Sequence, residues 1–382
     1  MEFSGDVRID PVSSAEDLDT FIRFAWEIYA GDPLWVPPIV SHQRAFLDKK
    51  KGPFFEVGEA EYFLARRGGR VVGRISAQVN HAYEQHHDNR TGFFGFFECI
   101  DDADVSRALF DAAGDWVRSR GKTKLHGPLS FAIYDEVGLL VDGFDTAPVV
   151  LHTHNPAYYE NLILDYGFAK TFDWYAYRIK RSEIPDADIA KYKAMLDLLC
   201  TKNNIAVTAI KRSEFATRGA QVCDLFNQAW SRNWGHVPLS KAQFDGFFTQ
   251  LAPILRHGLV NVLFDAGEMV GFVVSMPDIN LILKDFNGSF SLFNQLRLLW
   301  GTRVTYPVGF RVLILGIKQT HQWKRLHHIL MLHTIINLHQ NYPKSDWADC
   351  SLIPESLHNW IKALESYNIK RYKTFRLYDR DL

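Results

Sequence analysis

The sequence predicts an α/β protein of two similar domains, each a mixed, twisted sheet flanked by helices, and three observations carry that prediction. At 382 residues the chain is too long for one small core and fits two domains of ordinary size. Strand-like and helix-like segments alternate along it, as in sheets with helices packed on their faces. The same order of segments then occurs twice. Gly69-Arg70-Val71-Val72-Gly73 is matched by Gly267-Glu268-Met269-Val270-Gly271 at an offset of 198, and Tyr166-Gly167-Phe168 by Tyr367-Asn368-Ile369 at an offset of 201. Such offsets suggest a repeated unit, although hairpin glycines also coincide by chance, so the shared order carries the rest. A composition of 47% hydrophobic and 23% charged residues is that of a globular chain and excludes a disordered one.

In the first domain, read as residues 1–182, Val7-Arg8-Ile9 is a short strand. Ala15 to Tyr29 is a helix, because Leu18, Phe21, Ile22, Ala25, Ile28 and Tyr29 fall on one stripe at helical spacing. The elbow Asp32-Pro33-Leu34-Trp35-Val36-Pro37-Pro38 ends it, since proline lacks the amide donor a helix needs. Glu61 to Arg67 and Val71 to Asn80 form a hairpin about Gly68-Gly69, whose glycines supply the positive φ of a tight turn. Thr91 to Glu98 contains Gly92-Phe93-Phe94-Gly95-Phe96-Phe97, too apolar for an edge, and reads as a buried strand. Asp104 to Arg120 is a helix capped by Asp101-Asp102 and stopped at Gly121. A strand around Leu125, a looping stretch to Pro148, a helix from Pro156 to Tyr166 and a strand from Phe168 to Ile179 complete the domain.

A linker at Arg181 to Pro185 leads to the second domain, residues 183–382. Phe215 to Trp230 is a helix, Leu259 to Met276 a hairpin turned at Ala266-Gly267, and Arg311 to Ile317 a buried strand. His328 to Asn341 is a helix, Trp347 to Leu352 a strand, Pro354 to Tyr367 a helix and Ile369 to Tyr378 the last strand. Leu281 to Trp300 is apolar and aromatic with few charges; it suits an acyl tunnel, a membrane surface or an inter-domain core helix.

Charge is divided between the halves. Residues 1–182 hold 20 Lys and Arg against 27 Asp and Glu, and residues 183–382 hold 23 against 17, under a total of −1. Such a balance does not suit duplex nucleic acid, and it fits either an anionic ligand on the second half or two halves that dock. No nucleic-acid motif and no P-loop is present, so no nucleic acid is expected as a partner. Cys99, Cys200, Cys223 and Cys350 have no CxxC spacing, so they read as small buried hydrophobes and no metal is expected. The start lacks a basic segment followed by an apolar run, and no stretch of about 18 uncharged apolar residues occurs elsewhere. The expectation is a cytoplasmic protein, a monomer or homodimer, with at most a peripheral contact to the inner membrane.

The element order of each half resembles the GNAT acyltransferase fold. Several stretches narrow the resemblance to a bacterial tandem-GNAT group that includes the bacterial ceramide synthases: Asp32 to Pro38, Gly92 to Glu98, Asp135 to Phe144, Asn155-Pro156-Ala157-Tyr158-Tyr159, Ala229 to Pro238, Pro277-Asp278-Ile279-Asn280, and Lys373-Thr374-Phe375-Arg376. The resemblance implies acyl-CoA as co-substrate and a sphingoid long-chain base as the amine, saturated or 3-keto. It also implies a strand splayed from its neighbour to admit the pantetheine arm, and a helix start holding the pyrophosphate. In the second domain that region is Arg311 to Leu330, which makes Ile317, Gln319, Lys324, Arg325, Leu326 and His327 the acyl-CoA residues. Departures are visible. Where the group has Arg-Gly-x-Gly, this chain has Gln322-Trp323-Lys324-Arg325-Leu326-His327-His328 with no glycine, so side-chain charge has to replace close backbone approach. The group's Trp-Gly-Phe-Val-Pro and Tyr-Asn-Pro read Trp234-Gly235-His236-Val237-Pro238 and His154-Asn155-Pro156.

N-acylation needs a base for the amine proton, a polarised carbonyl and a protonated thiolate. Glu98, at the end of a phenylalanine run, is the first candidate base, because an apolar mouth raises a carboxyl pKa. His81, His154 and Asp135 complete the catalytic candidates, against a reading of these as surface, capping or ion-paired residues. Asn80, Tyr134, Glu136, Tyr158, Tyr159, Asn233, Trp234 and His236 are candidates for contact with the amine, with the first domain expected to face it. Two other functions fit the same residues: acetyl transfer to a small polar amine, and a degenerate GNAT scaffold that binds a lipid or partner without turnover.

Overall fold

The computed structural model describes residues 5–210, 212–251, 254, 258–305 and 308–382. Its backbone forms two compact units: Met1–Trp174 with Leu283–Asn294 and Lys373–Leu382, and Tyr175–Ile282 with Gln295–Tyr372.

Unit 1 begins with β1 (Arg8–Pro11) and α1 (Ala15–Ile28), the latter opened by a reciprocal cap between Ser14 and Asp17. Its stripe buries Phe21, Ile22, Phe24 and Ala25. After the proline elbow, a short α2 (Val40–Phe46) precedes the hairpin β2 (Gly58–Arg67) and β3 (Arg70–Asn80); Gly68 and Gly69 take φ of 56° and 80° at the turn. Then come α3 (His81–His86), β4 (Thr91–Cys99) and α4 (Ala103–Arg118), whose N-cap Asp102 accepts from the amides of Asp104 and Val105. β5 (Lys124–Gly127), β6 (Leu139–Asp142), α5 (Tyr159–Asp165) and β7 (Ala169–Lys180) follow, β7 passing into unit 2 at Tyr175. The sheet runs β1-β2-β3-β4-β5, antiparallel except where β4 and β5 pair in parallel. The chain's last residues close its far side, with Tyr378 to Asp381 antiparallel to β5 and Thr374 to Arg376 antiparallel to β6. β4 carries the core, where Phe94, Phe97 and Cys99 pack with Leu109, Phe110 and Tyr159.

Unit 2 contains α6 (Asp186–Asn203), β8 (Ile205–Ala209), α7 (Arg212–Trp230), α8 (Lys241–Leu251), the hairpin β9 (Val260–Asp265) and β10 (Glu268–Pro277), and the short α9 (Asn280–Leu283), whose last residue lies in unit 1. They are followed by α10 (Leu292–Trp300), whose residues up to Asn294 lie in unit 1, β11 (Gly309–Ile317), α11 (His327–Asn341), β12 (Trp347–Pro354), α12 (His358–Ser366) and β13 (Lys370–Asp381), which passes into unit 1 at Lys373. Its ladder runs β8-β9-β10-β11-β12, with only β11 and β12 parallel. Here α11 buries Ile329 and Leu330 against Leu263, Val270 and Val273 of the sheet.

The predicted elements are present, most within three residues of their expected ends. The sequence reading passed over α2, α3, β6, α6, β8 and α8. The α6 face alternates poorly and buries only Ile189 among its residues, which explains why no apolar stripe announced it.

Candidate functional site

Glu98 is set by a bulge in β4. Opposite β3, Arg74 pairs with Glu98 and Ser76 with Gly95, so Phe96 and Phe97 together face Ile75. Phe96 takes φ of 48° to make the extra residue fit. Glu98 is buried, and as cross-strand partners Arg74 and Glu98 stand side by side, with Nη2 to Oε1 at 3.4 Å. Tyr159 donates to Oε2 at 2.7 Å while accepting the Cys99 amide at 2.9 Å, and the Tyr29 hydroxyl lies 3.0 Å from Oε2.

Tyr29 also reaches the His154 carbonyl at 2.7 Å. One hydroxyl carries one proton and cannot serve two acceptors. The chain of bonds is complete when Glu98 is protonated and donates to Tyr29, which then donates to His154. Burial pushes the Glu98 carboxyl above its ordinary range in the same direction, with Arg74 opposing.

Other motif residues converge on this cluster. Trp35 of the proline elbow stacks on Tyr29 at 4.9 Å, and Asp32 holds the Leu34 amide with one oxygen and His154 Nε2 with the other at 2.7 Å. Burial lowers the His154 pKa, and the Asp32 carboxylate opposes that shift. Asn155 is structural, since its amide bridges the Leu140 amide and carbonyl at 2.7 and 3.1 Å. Asp135 accepts the Ala132 amide at 3.1 Å, and burial raises its carboxyl to about 8. Glu136 is exposed by surface area yet enclosed enough that desolvation, with the Glu98 charge adding, raises it to about 7. Carboxyl groups poised near neutrality are suited to proton transfer.

The remaining first-domain candidates have local roles as well. Tyr158 donates to the Cys99 carbonyl at 2.7 Å, Asn80 caps α3 by accepting the Tyr83 amide, and Tyr134 is half-buried in the loop next to Asp135. His81 is largely exposed and pairs with Glu84 at 2.8 Å.

The two parallel strand pairs differ. In unit 1, β4 and β5 pair from Thr91–Lys124 to Phe93–His126, and the chain itself fills the space beyond: Leu129 donates to the Phe94 carbonyl at 2.8 Å and Gln78 donates to the Leu129 carbonyl at 2.5 Å. A Cβ on Gly95 would lie 2.1 Å from that carbonyl oxygen, so only glycine admits the loop. In unit 2 the parallel ladder of β11 and β12 ends at Val312 and Cys350, although both strands continue. An apolar cavity of ≈ 60 Å³ adjoins this parting, lined by Val312, Leu315, Met331, Cys350 and Trp360 among others.

Beyond β11, Gln319 to Lys324 form a short 3-10 turn, and Arg325 takes φ of 54°, the left-handed conformation usually given to glycine. Ile317 and Leu326 are buried, Gln319 donates to Ser231 at 2.5 Å, and Lys324 is ion-paired to Asp265. The His327 ring lies 4.4 Å from that of His328 and edge-on to Trp360 at 5.4 Å, and burial lowers its pKa to about 4. No side chain caps α11, whose start is basic, whereas α4 starts with Asp101, Asp102 and Asp104. The Asn233–His236 turn packs His236 5.8 Å from Phe226, with Trp234 and Asn233 half-buried.

Sequence reasoning missed Tyr29, Arg74 and Asp32, and in unit 2 a buried group in which Tyr372 and Ser351 donate to Asp349 beside Arg311, itself 3% exposed. An arginine inside the apolar run Phe310 to Ile317 was the available signal. Among the described residues no group of His, Cys, Asp or Glu is arranged to hold a metal ion, and no helix is long and apolar enough to cross a membrane.

A strand order repeated in two units, with one parallel pair parting beside a basic helix start, defines a tandem GNAT fold. A tandem GNAT protein from the clavulanic acid biosynthesis pathway shares it at a TM-score of 0.57 and 11% identity, over 98% of both chains. A GCN5-related N-acetyltransferase from Sphaerobacter thermophilus reaches 0.52 at 8% identity, over 98% of this chain and 95% of that one. No family model matches the sequence. Its relatives include the bacterial ceramide synthase of Caulobacter vibrioides (strain NA1000 / CB15N), 32% identical over 384 residues, covering 99% of this chain and 98% of that protein. Protein YghO of Escherichia coli (strain K12) is 30% identical over 369 residues, 96% and 93% of the two chains. The chain belongs to the tandem GNAT family that contains the bacterial ceramide synthase.

Proposed function

We propose that the chain is an acyl-CoA-dependent N-acyltransferase that acylates a long-chain, sphingoid-type amine. The observation that carries the acyl-CoA part is the parting of β11 and β12 next to the basic, uncapped start of α11, because bare strand edges pair with the amides of an extended ligand and helix starts hold phosphate. In this reading Ile317, Gln319, Lys324, Arg325, Leu326 and His327 flank the acyl-CoA. The amine is supported by the name of the Caulobacter relative and by the motif stretches shared with that group.

The chemistry assigned to Glu98 is proton acceptance. The amine nitrogen attacks the thioester carbonyl, the N–C bond forms as the C–S bond breaks, the nitrogen gives up a proton and the departing thiolate takes one. Glu98, raised by burial and held by Tyr29, Tyr159 and Arg74, is suited to receive the first of these. His154 and Asp135 are the next acid–base groups, and Asn80, His81, Tyr134, Glu136, Tyr158, Tyr159, Asn233, Trp234 and His236 remain proposals for amine contact or proton handling. The acyl-CoA and base assignments rest on separate observations and are tested separately.

The test is mass spectrometry of products after incubation with acyl-CoAs of graded length and with sphinganine or 3-ketosphinganine. Long-chain amides are the expected product. Acetylation of small polar amines alone would support the acetyltransferase reading. Binding without product would support the scaffold reading, which the glycine-free loop and the Lys324–Asp265 pair favour.

A further inference from the structure

Single exposed apolar side chains are ordinary, but a contiguous exposed stripe is not. Leu292 and Phe293 are each 73% exposed, Leu296 58%, Trp300 62%, and Val304, in the wide helical turn Gly301–Thr305 that continues α10, 50%. At 100° per residue, positions 292, 293, 296 and 300 fall within an arc of about 100°. The rest of the helix is held down by half-buried Leu298 and Leu299 and buried Thr302.

The charges on this element are of one sign. Arg297, at the edge of the arc, and Arg303 are exposed, and no Asp or Glu occurs from Leu292 to Thr305. A second copy of the chain docking here would bring arginines against arginines. An anionic bilayer complements both features: apolar side chains enter the acyl boundary, Trp300 sits at headgroup level, and the arginines meet lipid phosphates. Helix and turn together are about 20 Å long, too short to span and suited to lie in the interface.

We propose that α10 and its following turn form an interfacial anchor that docks the protein on anionic membranes through Leu292, Phe293, Leu296, Trp300 and Val304. A bilayer is also where a long-chain amine of the proposed function resides; only that last point rests on the functional reading.

The test is sedimentation of the purified full chain with vesicles of phosphatidylcholine alone or mixed with phosphatidylglycerol. Binding is expected with the anionic vesicles, with a drop of at least tenfold in the double variant Leu296→Glu/Trp300→Glu and in the milder Leu292→Ser/Phe293→Ser. Arg297→Gln/Arg303→Gln should erase the preference for phosphatidylglycerol. Circular dichroism and amide formation from short-chain, detergent-dispersed substrates should be unchanged in these variants, so vesicle binding and turnover can fail independently. No vesicle binding by the wild type, or equal binding by both apolar-stripe variants, overturns the proposal. So does a wild-type dimer that Leu296→Glu/Trp300→Glu converts to monomer without affecting vesicle binding, which would assign the stripe to a second copy.

Discussion

Replacing Glu98 by Gln separates a catalytic from a structural carboxyl because Gln reproduces the protonated form of the site. With its oxygen in the Oε2 place it accepts from Tyr159, and its amide nitrogen, in the Oε1 place 3.3 Å from Tyr29, can donate to that hydroxyl and leave it free to donate to the His154 carbonyl at 2.7 Å. That nitrogen then faces Arg74 Nη2 donor against donor, so the long contact of 3.4 Å is lost. One lost bond of this kind is worth about 0.5–1.5 kcal/mol, or a few degrees in Tm for a unit of this size. Turnover should respond on another scale. Loss of a general base costs ~10²–10⁴-fold in kcat, about 2.7–5.5 kcal/mol of barrier, with acyl-CoA affinity unchanged. The base form of Glu98 is the carboxylate, so wild-type kcat/KM should fall as pH drops through its raised pKa, and that acidic limb should vanish in Glu98→Gln. Steady-state kinetics across pH with thermal unfolding of the same samples reads both effects. A kcat loss under about tenfold, or an unchanged limb, would show that Glu98 is structural and move the base to His154 or Asp135.

Gly95→Ala drives a methyl into the Leu129 carbonyl and should cost about 1–3 kcal/mol in chemical denaturation, a cost absent at the open turn position Gly267 only for substitutions that tolerate positive φ, such as Asn. Asp349→Asn leaves Arg311 buried without its countercharge and should destabilise unit 2 by about 3–5 kcal/mol, whereas Arg311→Met/Asp349→Leu together should recover much of the loss; denaturation midpoints decide. Lys324→Ala/Arg325→Ala should weaken acyl-CoA binding by calorimetry with little effect on Glu98-dependent pH behaviour. Asp135 has its pKa raised to about 8 by burial, so the stability it contributes is full below its unfolded value near 4 and is lost as pH rises through about 8; the denaturation midpoint should fall between about pH 4 and 8, less so in Asp135→Asn.

Elements with strong local codes were legible and those held by packing were not. Gly68-Gly69 and Ala266-Gly267 marked the two hairpin turns, Asp102 marked the start of α4, and the apolar runs marked β4 and β11. β6, four residues long, is a strand only because the chain's end pairs with it, and no window of sequence contains that partner. Glu98 stood out because a carboxylate after four phenylalanines is anomalous, and its side chain is buried. Its partners were not. Tyr29 lies on an apolar helical stripe, where an aromatic ring reads as core, and Arg74 interrupts a strand pattern by one position. Their convergence depends on the β4 bulge, which moves Glu98 opposite Arg74, puts Phe96 at a positive φ and has no mark in the sequence. The glycine-free loop misled in one respect: Arg325 adopts the backbone conformation that glycine would have supplied.

The two parallel strand pairs explain why one fold used twice need not bind the same ligand twice. A strand edge must find partners for its amides and carbonyls. In unit 1 the chain supplies them, with Leu129 bonded to Phe94 and its carbonyl seated against Gly95 and Gln78. A ligand entering there would have to expel this loop and then set its phosphates against Asp101, Asp102 and Asp104, at the end of a helix whose first amides Asp102 already occupies. In unit 2 the ladder stops at Val312 and Cys350, the following helix start is basic and carries no side-chain cap, and apolar space lies beside the parting. Each difference alone is small, but all of them disfavour an acyl-CoA in unit 1 and favour one in unit 2. In the proposed assignment a unit relieved of that ligand can hold carboxyl groups that a phosphate-binding site would not tolerate nearby. Unit 1 is where buried Glu98 and the loop residues half-buried Asp135 and, beside it, Glu136 are found, each with its proton held more tightly than in water.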